Sequence, residues 1–246
     1  MTKLSVNVNK VATLRNTRPQ LNIPDVRRAA TLCLDAGAHG ITIHPRPDQR
    51  HIRPSDVYEI AELMKSYPQA EFNIEGNPFE GPYMEHCRVA RPTQATLVPD
   101  SRDQPTSDHG WDLAKDGERL KPVLETLKSF GCRVSLFMDA AVEGMDLAKH
   151  LGVERVELYT EPYAAQFAAG DADAAKPFAA AARRAQELGL GVNAGHDLNL
   201  QNLPLFVRVV PNVLEVSIGH ALIADALEFG LPETVTRYLR ACAGGM

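Results

Sequence analysis

Three histidines and two glutamates stand where apolar runs give out: His44 after Gly40-Ile41-Thr42-Ile43, His196 after Val192-Asn193-Ala194-Gly195, His220 after Ile218-Gly219, Glu75 after Phe72-Asn73-Ile74, and Glu157 between Val156 and Leu158. A histidine switches charge near neutral pH, and a carboxylate among apolar neighbours is either paired or pushed toward neutrality, so this set suits proton transfer. Basic and polar residues keep the same company: Asn7-Val8-Asn9-Lys10, Arg18, Arg46, His51, Arg102 and Thr106. Arg18 and Arg46 closely follow run ends and are candidates for gripping phosphate or carboxylate, whereas Arg15 and Arg53 read as surface charge. Gly219-His220 opens a helical stretch, where free N–H groups and the positive helix end make an anion site.

A single histidine at a strand end is as readily a hydrogen-bonded structural residue, but three such ends in one chain argue for a shared site. His39, His86, His109 and His150 fall in turns or on helices and are expected to face solvent. His44, His196, His220 and the carboxylates are ligand types that zinc accepts, yet Asn7-Val8-Asn9 is a poor donor set on the first strand, so no metal is expected. No GxSxG elbow is present, which disfavours acyl transfer. The inventory points to acid–base chemistry on a small anionic substrate.

The elements that must position these residues recur along the chain. Short β-branched runs (Leu4–Asn9, Gly40–His44, Glu71–Glu75, Ala95–Pro99, Arg133–Asp139, Arg155–Thr160, Gly191–His196 and Val213–His220) alternate with stretches of helical spacing. The first helix is expected to open at Pro24 and the second to follow Pro54-Ser55-Asp56, with Val57, Ile60, Ala61 and Met64 on one face; the others centre on Pro82–Arg91, Leu120–Leu127, Val142–Leu151, Phe178–Leu188, Asn199–Val209 and Leu222–Leu239. Gly40, Gly131, Gly152 and Gly189 read as helix-to-strand turns. Eight units in 246 residues give about 31 residues each, the repeat of an α/β chain folded as a (β/α)8 TIM barrel, with residues 1–246 forming a single domain. The runs read as continuously apolar, as expected of strands covered on both faces. A doubly wound open sheet is the competing architecture, but GxGxxG is absent after the first run. A barrel places its chemistry at the carboxyl ends of its strands, which would bring the polar residues onto one rim.

Composition narrows the class further. A hydrophobic fraction of 44% with 23% charged residues is ordinary globular usage, and no apolar run approaches the ~18 residues of a membrane span. The net charge of −5 argues against a nucleic-acid surface. Met1-Thr2-Lys3-Leu4-Ser5-Val6 enters an alternating pattern directly, so no signal peptide and a cytoplasmic location are expected. Cys33, Cys87, Cys132 and Cys242 lack metal or disulfide spacing and are expected to be reduced core residues.

Taken in order, Val6-Asn7-Val8, Ala12-Thr13-Leu14-Arg15-Asn16, Gly40-Ile41-Thr42-Ile43-His44 with Arg46 and Arg50-His51-Ile52, Asn73-Ile74-Glu75, Leu97-Val98-Pro99, Val134-Ser135-Leu136-Phe137, Val192-Asn193-Ala194-Gly195-His196 and Ile218-Gly219-His220-Ala221 resemble the pyridoxine 5′-phosphate synthase family across essentially the whole chain. The resemblance implies an octamer of barrels that condenses 3-amino-2-oxopropyl phosphate with 1-deoxy-D-xylulose 5-phosphate to pyridoxine 5′-phosphate, phosphate and water, without metal or organic cofactor. It implies that His44 and Glu75 accept protons and His196 donates one. Arg46, His51 and Thr106 would hold the pentulose phosphate; Asn7, Arg18, Gly219 and His220 would hold the amino-ketone phosphate; Glu157 would be a further active-site carboxylate. Two positions depart from the family pattern. Asn9-Lys10 replaces an Asp-His pair, and Asn cannot act as a base, so a binding role is expected there, with Lys10 either a third phosphate contact or a partner of Glu157. Asp197 stands where glycine often follows the histidine, and its charge would repel a phosphate unless it points away or pairs. Another phosphate-binding barrel aldolase or isomerase and a non-catalytic metabolite-binding barrel are the competing readings.

Overall fold

A computed structural model describes residues 1–102 and 104–245. Eight parallel strands close into a barrel in sequence order: β1 (Lys3–Asn7), β2 (Gly40–Ile43), β3 (Glu71–Gly76), β4 (Gln94–Leu97), β5 (Arg133–Met138), β6 (Arg155–Leu158), β7 (Gly191–Gly195) and β8 (Val213–Ile218), with β8 pairing back onto β1. This is the (β/α)8 barrel expected from the repeat. The strands are shorter than the apolar runs at most of their carboxyl ends, so Asn9, His44, His196 and His220 lie just past the ladder, where backbone and side chains are free to face a ligand.

The reading of strands as continuously apolar does not hold. Outward residues such as Leu4, Val6, Ile41, Ile43, Ile74, Leu97, Leu136 and Val216 are fully buried under the helices. Inward residues are polar. Ser5 pairs with Thr42 at 2.7 Å, Thr96 donates to Asn73 at 3.0 Å, and Arg155 donates to Asn193 at 3.1 Å. Gln94 Oε1 accepts from Arg133 at 2.8 Å and from Asn193 at 3.3 Å. The strands therefore alternate with period two, apolar outward and polar inward, and the lumen is closed by hydrogen bonds rather than by packed aliphatic layers.

Eleven helices surround the barrel among the described residues, against eight expected. They are α1 (Asn9–Asn16), α2 (Val26–Asp35), α3 (Pro54–Met64), α4 (Tyr83–Ala90), α5 (Leu113–Ser129), α6 (Val142–Leu151), α7 (Glu161–Ala168), α8 (Lys176–Glu187), α9 (Leu203–Val209), α10 (His220–Phe229) and α11 (Leu231–Cys242). Of the additional three, α1 follows directly on β1, α7 precedes the alanine-rich helix, and the final helical stretch is split at Gly230, whose φ of 76° interrupts the helix. Helix α2 opens at Val26 rather than Pro24, because the Asp25 carboxylate accepts from the Arg28 N–H at 2.8 Å and caps it there. None of the helices is long and apolar enough to cross a membrane among the described residues. All four cysteines are buried thiols.

Two residues expected at the surface are interior. His86 on α4 is 2% exposed, with its ring edge-on to Tyr58 and Nδ1 3.2 Å from the Tyr58 hydroxyl. Arg15 on α1 is likewise 2% exposed and forms a two-pronged ion pair with Asp56 at 2.5 and 2.8 Å. Asp56 Oδ2 also accepts the Arg53 N–H at 2.7 Å, capping α3, while Asn16 donates to the carbonyl of His51 at 2.7 Å. Together they tie the end of α1 to the loop that carries Arg50 and His51. Replacing one member strands a buried charge, so Asp56→Ala is expected to destabilise the fold by about 3–5 kcal/mol in urea denaturation; a loss under ~1 kcal/mol would show that this tie is not structural.

Candidate active site

The carboxyl ends of the strands surround a cavity, open at its mouth and lined by residues of seven strand ends and of the loop between β4 and α5. Of the residues singled out from sequence, it gathers Asn7, Asn9, Lys10, His44, Arg46, His51, Glu75, Thr106, Glu157, His196, Gly219 and His220. Three are not on its wall, one of them Arg102, which is exposed on the β4–α5 loop. Asp197 sits behind His196, and Arg18 lies past α1 on an exposed stretch beside Leu14, Thr17, Leu21, Ile23 and Pro24.

Glu75 is the centre of one wall. Its Oε2 lies 3.8 Å from His44 Nδ1 and 3.5 Å from the Asn7 amide, and its Oε1 accepts from the Ser217 hydroxyl at 3.4 Å. The adjoining turn is fixed by amide side chains: Asn7 Oδ1 accepts the Asn9 N–H at 3.0 Å, and Asn9 Oδ1 accepts the His44 N–H at 2.9 Å. Asn9 therefore holds the backbone of His44. Burial raises the Glu75 pKa; the charges of His196 and Arg46 and the Ser217 hydrogen bond lower it, Asp100 raises it, and it settles at about 7. Burial, with the like charge of Arg46 behind it, pushes His44 well below the ordinary imidazole value, so its ring is neutral.

Glu157, 4% exposed on β6, is pushed far above the carboxylate range by burial and by Glu75 and Glu215. Its Oε2 finds no hydrogen-bond partner among the described residues. A carboxyl kept neutral by these surroundings carries an O–H donor, and Glu157 is part of the cavity lining. Lys10 makes no ion pair with it among the described residues; it lies instead in the field of Arg46 and Arg50, and burial followed by those two charges lowers its pKa. The same groups, again behind burial, bring His51 down to about 4. Lys10, Arg46, Arg50 and a neutral His51 thus form a basic lobe after β1 and β2, next to Glu75. His51 Nδ1 is held by the Thr13 hydroxyl at 2.7 Å.

His196 occupies the other wall at a φ of 56°, a left-handed conformation uncommon for a residue with a side chain. Its N–H donates to the Ser217 carbonyl at 3.0 Å. A Cβ on the preceding Gly195 would meet that same carbonyl oxygen at 2.3 Å, so only glycine lets β7 and β8 approach here. His196 Nε2 meets the Thr106 hydroxyl at 2.8 Å and Nδ1 meets Asp197 at 2.9 Å. Burial opposes its charge, but Asp197, Glu75 and Asp100 outweigh burial and raise its pKa. The repulsion expected of Asp197 is relieved by pairing.

Sequence reasoning passed over four contributors. Asp100 binds Arg46 Nη2 at 2.6 Å and accepts from Ser107 at 2.6 Å; Ser217 holds Glu75; Arg50 reaches the Gln104 carbonyl. Asp100 and Ser217 fall within or just past a strand run, the same positional signal that singled out the histidines.

Fold and cavity define the class: a barrel enzyme with buried titratable side chains and a basic lobe gathered at the carboxyl ends of its strands. The chain belongs to the family described as pyridoxal phosphate biosynthesis protein PdxJ, whose family model matches residues 4–244. Curated relatives named pyridoxine 5′-phosphate synthase include one from Albidiferax ferrireducens, 57% identical over 249 residues covering 99% of this chain and 98% of the relative. Another, from Xylella fastidiosa, is 56% identical and covers 97% and 94%. A third, from Xanthomonas campestris pv. campestris, is 55% identical and covers 99% and 97%. Among solved structures, a ligand-free tryptophan synthase from M. tuberculosis superposes with a TM-score of 0.64 at 13% identity, covering 99% of this chain and 92% of that one. A 3-keto-L-gulonate-6-phosphate decarboxylase from Vibrio cholerae superposes with a TM-score of 0.60 at 10% identity, covering 96% and 98%. These two likenesses are of fold alone.

Ser217→Ala removes a donor that favours ionised Glu75, so the Glu75 pKa is expected to rise above about 7 in a carboxyl ¹³C NMR titration. An unchanged or lowered value would contradict this arrangement.

Proposed function

We propose that the chain condenses 3-amino-2-oxopropyl phosphate with 1-deoxy-D-xylulose 5-phosphate, yielding pyridoxine 5′-phosphate, inorganic phosphate and water, without a metal or organic cofactor. What carries this reading is the identity of 55–57% over nearly the whole chain to relatives named for that synthesis. The cavity supports it chemically. Joining an amine to a ketone, losing water and phosphate, and closing a ring all require protons to be moved repeatedly, each assisted transfer being worth roughly 10²–10⁴-fold.

Glu75 is the base in this proposal. Its pKa of about 7 leaves a substantial ionised fraction at neutral pH while keeping the carboxylate basic enough to take a proton from the substrate ammonium. Neutral His44 beside it is the second acceptor. His196, its charge favoured, is the donor on the opposite wall. Arg46, His51 and Thr106 hold the pentulose phosphate, and Lys10 adds a third cationic contact to that lobe. Gly219 and His220 offer the N-terminus of α10 to the second phosphate, with Asn7 at its side. Glu157 donates its unspent proton to a substrate oxygen. Arg18 holds the amino-ketone phosphate in the resemblance; its exposed position lies outside the cavity of the single chain.

The proposal includes one catalytic domain over residues 1–246, a cytoplasmic location and assembly into an octamer. Leu14, Leu21 and Ile23, which are 52%, 51% and 62% exposed around Arg18, support assembly as apolar surface of the kind that subunit contacts cover.

The direct test mixes purified protein with both phosphorylated substrates and follows pyridoxine 5′-phosphate and free phosphate. Equimolar appearance of the two is expected, unaffected by a chelator; no product from folded protein would refute the reading. Glu75→Gln is expected to lower kcat by about 10²–10⁴-fold, and Arg46→Ala chiefly to raise KM for the pentulose phosphate. The reverse split would overturn these roles.

A further inference from the structure

Asp197 does not line the cavity, yet its carboxylate is aimed at the one ring nitrogen of His196 that faces away from it, 2.9 Å from Nδ1. The other ring nitrogen, Nε2, faces the Thr106 hydroxyl at 2.8 Å on the cavity wall. The backbone that carries this carboxylate is pinned. The Asp197 N–H donates to the Gly195 carbonyl at 2.8 Å and to the Thr160 hydroxyl at 3.3 Å, and its carbonyl accepts from the Asn202 amide at 3.2 Å. Thr160 in turn donates to the Gly195 carbonyl. His196 itself is held in a left-handed backbone conformation, so ring and carboxylate face each other from two pinned segments.

We propose that Asp197 is a positioning residue that fixes His196 with Nδ1–H directed to its carboxylate and Nε2–H directed into the cavity. The inference rests on the proposed role of His196 as proton donor and adds how the donor is held. In the transfer step the Nε2–H bond breaks and an O–H bond forms on the departing hydroxyl, which leaves as water. The imidazolium thereby becomes a neutral ring that keeps its Nδ1 proton toward Asp197, and Nε2 later recovers a proton from solvent. Without Asp197 the ring could present either nitrogen as donor and would carry its charge less readily. Other groups face the same ring: Glu75 from β3 and Asp100 from the β4–α5 loop favour its charge, while His44 at the end of β2 shares its field and Tyr159 beyond β6 lies near Asp197.

The test compares wild type with Asp197→Asn and Asp197→Glu. In the Asn variant the basic limb of kcat/KM is expected to move to lower pH. Its kcat falls by about 10–100-fold, the range typical when the outer partner of a functional histidine is removed, while KM for both substrates stays within about twofold. The Glu variant is expected to restore the limb toward its wild-type position. An unmoved limb, or a change confined to KM, would overturn the proposal. ¹⁵N NMR titration of the His196 ring in the ligand-free wild-type protein needs neither turnover nor a folded variant. A neutral ring protonated at Nδ1, and a pKa above the ordinary imidazole value, are expected; a ring protonated at Nε2 alone, or a pKa at or below the ordinary value, would overturn the proposal. Absence of product from wild type would count against the proposed reaction and leave the ring titration to decide this point.

Discussion

Everything in this molecule depends on how a barrel with a polar interior is kept closed. Ser5, Thr42, Asn73, Thr96 and Asn193 point inward, and Gln94 joins Thr96, Arg133, Arg155, Asn193 and Glu215. Each buried polar group would be costly if left alone, so the lumen is stable only as a connected network. The apolar contribution comes from the outer face, where alternate strand residues pack under the helices. The site follows from this division. Asn7, Glu75 and Glu157 stand two residues beyond Ser5, Asn73 and Arg155, so the polar inward rows run on into the rim.

The rim then separates charge. Glu75 and Glu157 at the rim on β3 and β6, and Glu215 deeper in the lumen on β8, share one low-dielectric interior, and each is displaced upward, burial being the largest cause. After β1 and β2, next to Glu75, burial followed by the charges of Lys10, Arg46 and Arg50 lowers the pKa of His51, with Asp100 the buried partner of Arg46. A chain of net charge −5 can in this way offer a local site for two phosphates. Glu75 and His44 stand on β3 and β2 and His196 on β7, on the far side of the barrel, so in the proposed roles a substrate bound between them loses and gains protons without turning.

Much of this was legible in the chain. Strand-end position singled out twelve of the residues that line the cavity, because in a barrel every strand ends at the same face. Alternation such as Leu4-Ser5-Val6-Asn7 was also present, but short strands with several aliphatic residues read as apolar throughout, and the polar lumen was missed. Ser217 and Asp100 carry the same positional signal in less conspicuous residue types. Arg18 shows the limit of sequence proximity: it follows a strand end closely, yet α1 intervenes and carries it away from the cavity. Arg15 and His86 were read as surface residues because a charged or polar side chain on a helix usually is; their partners, Asp56 and Tyr58, lie on a different element, α3, and only the fold brings them together.

The central claim is that burial at the top of a polar lumen poises Glu75 as a base near neutrality. The most direct measurement is kcat/KM for pyridoxine 5′-phosphate formation as a function of pH, since this ratio reports ionisations of the free enzyme. The account predicts that the rate rises as pH increases through about 7, the value at which Glu75 ionises. An acidic limb in the ordinary carboxylate range, or one that persists at the same pH in Glu75→Gln, would contradict it.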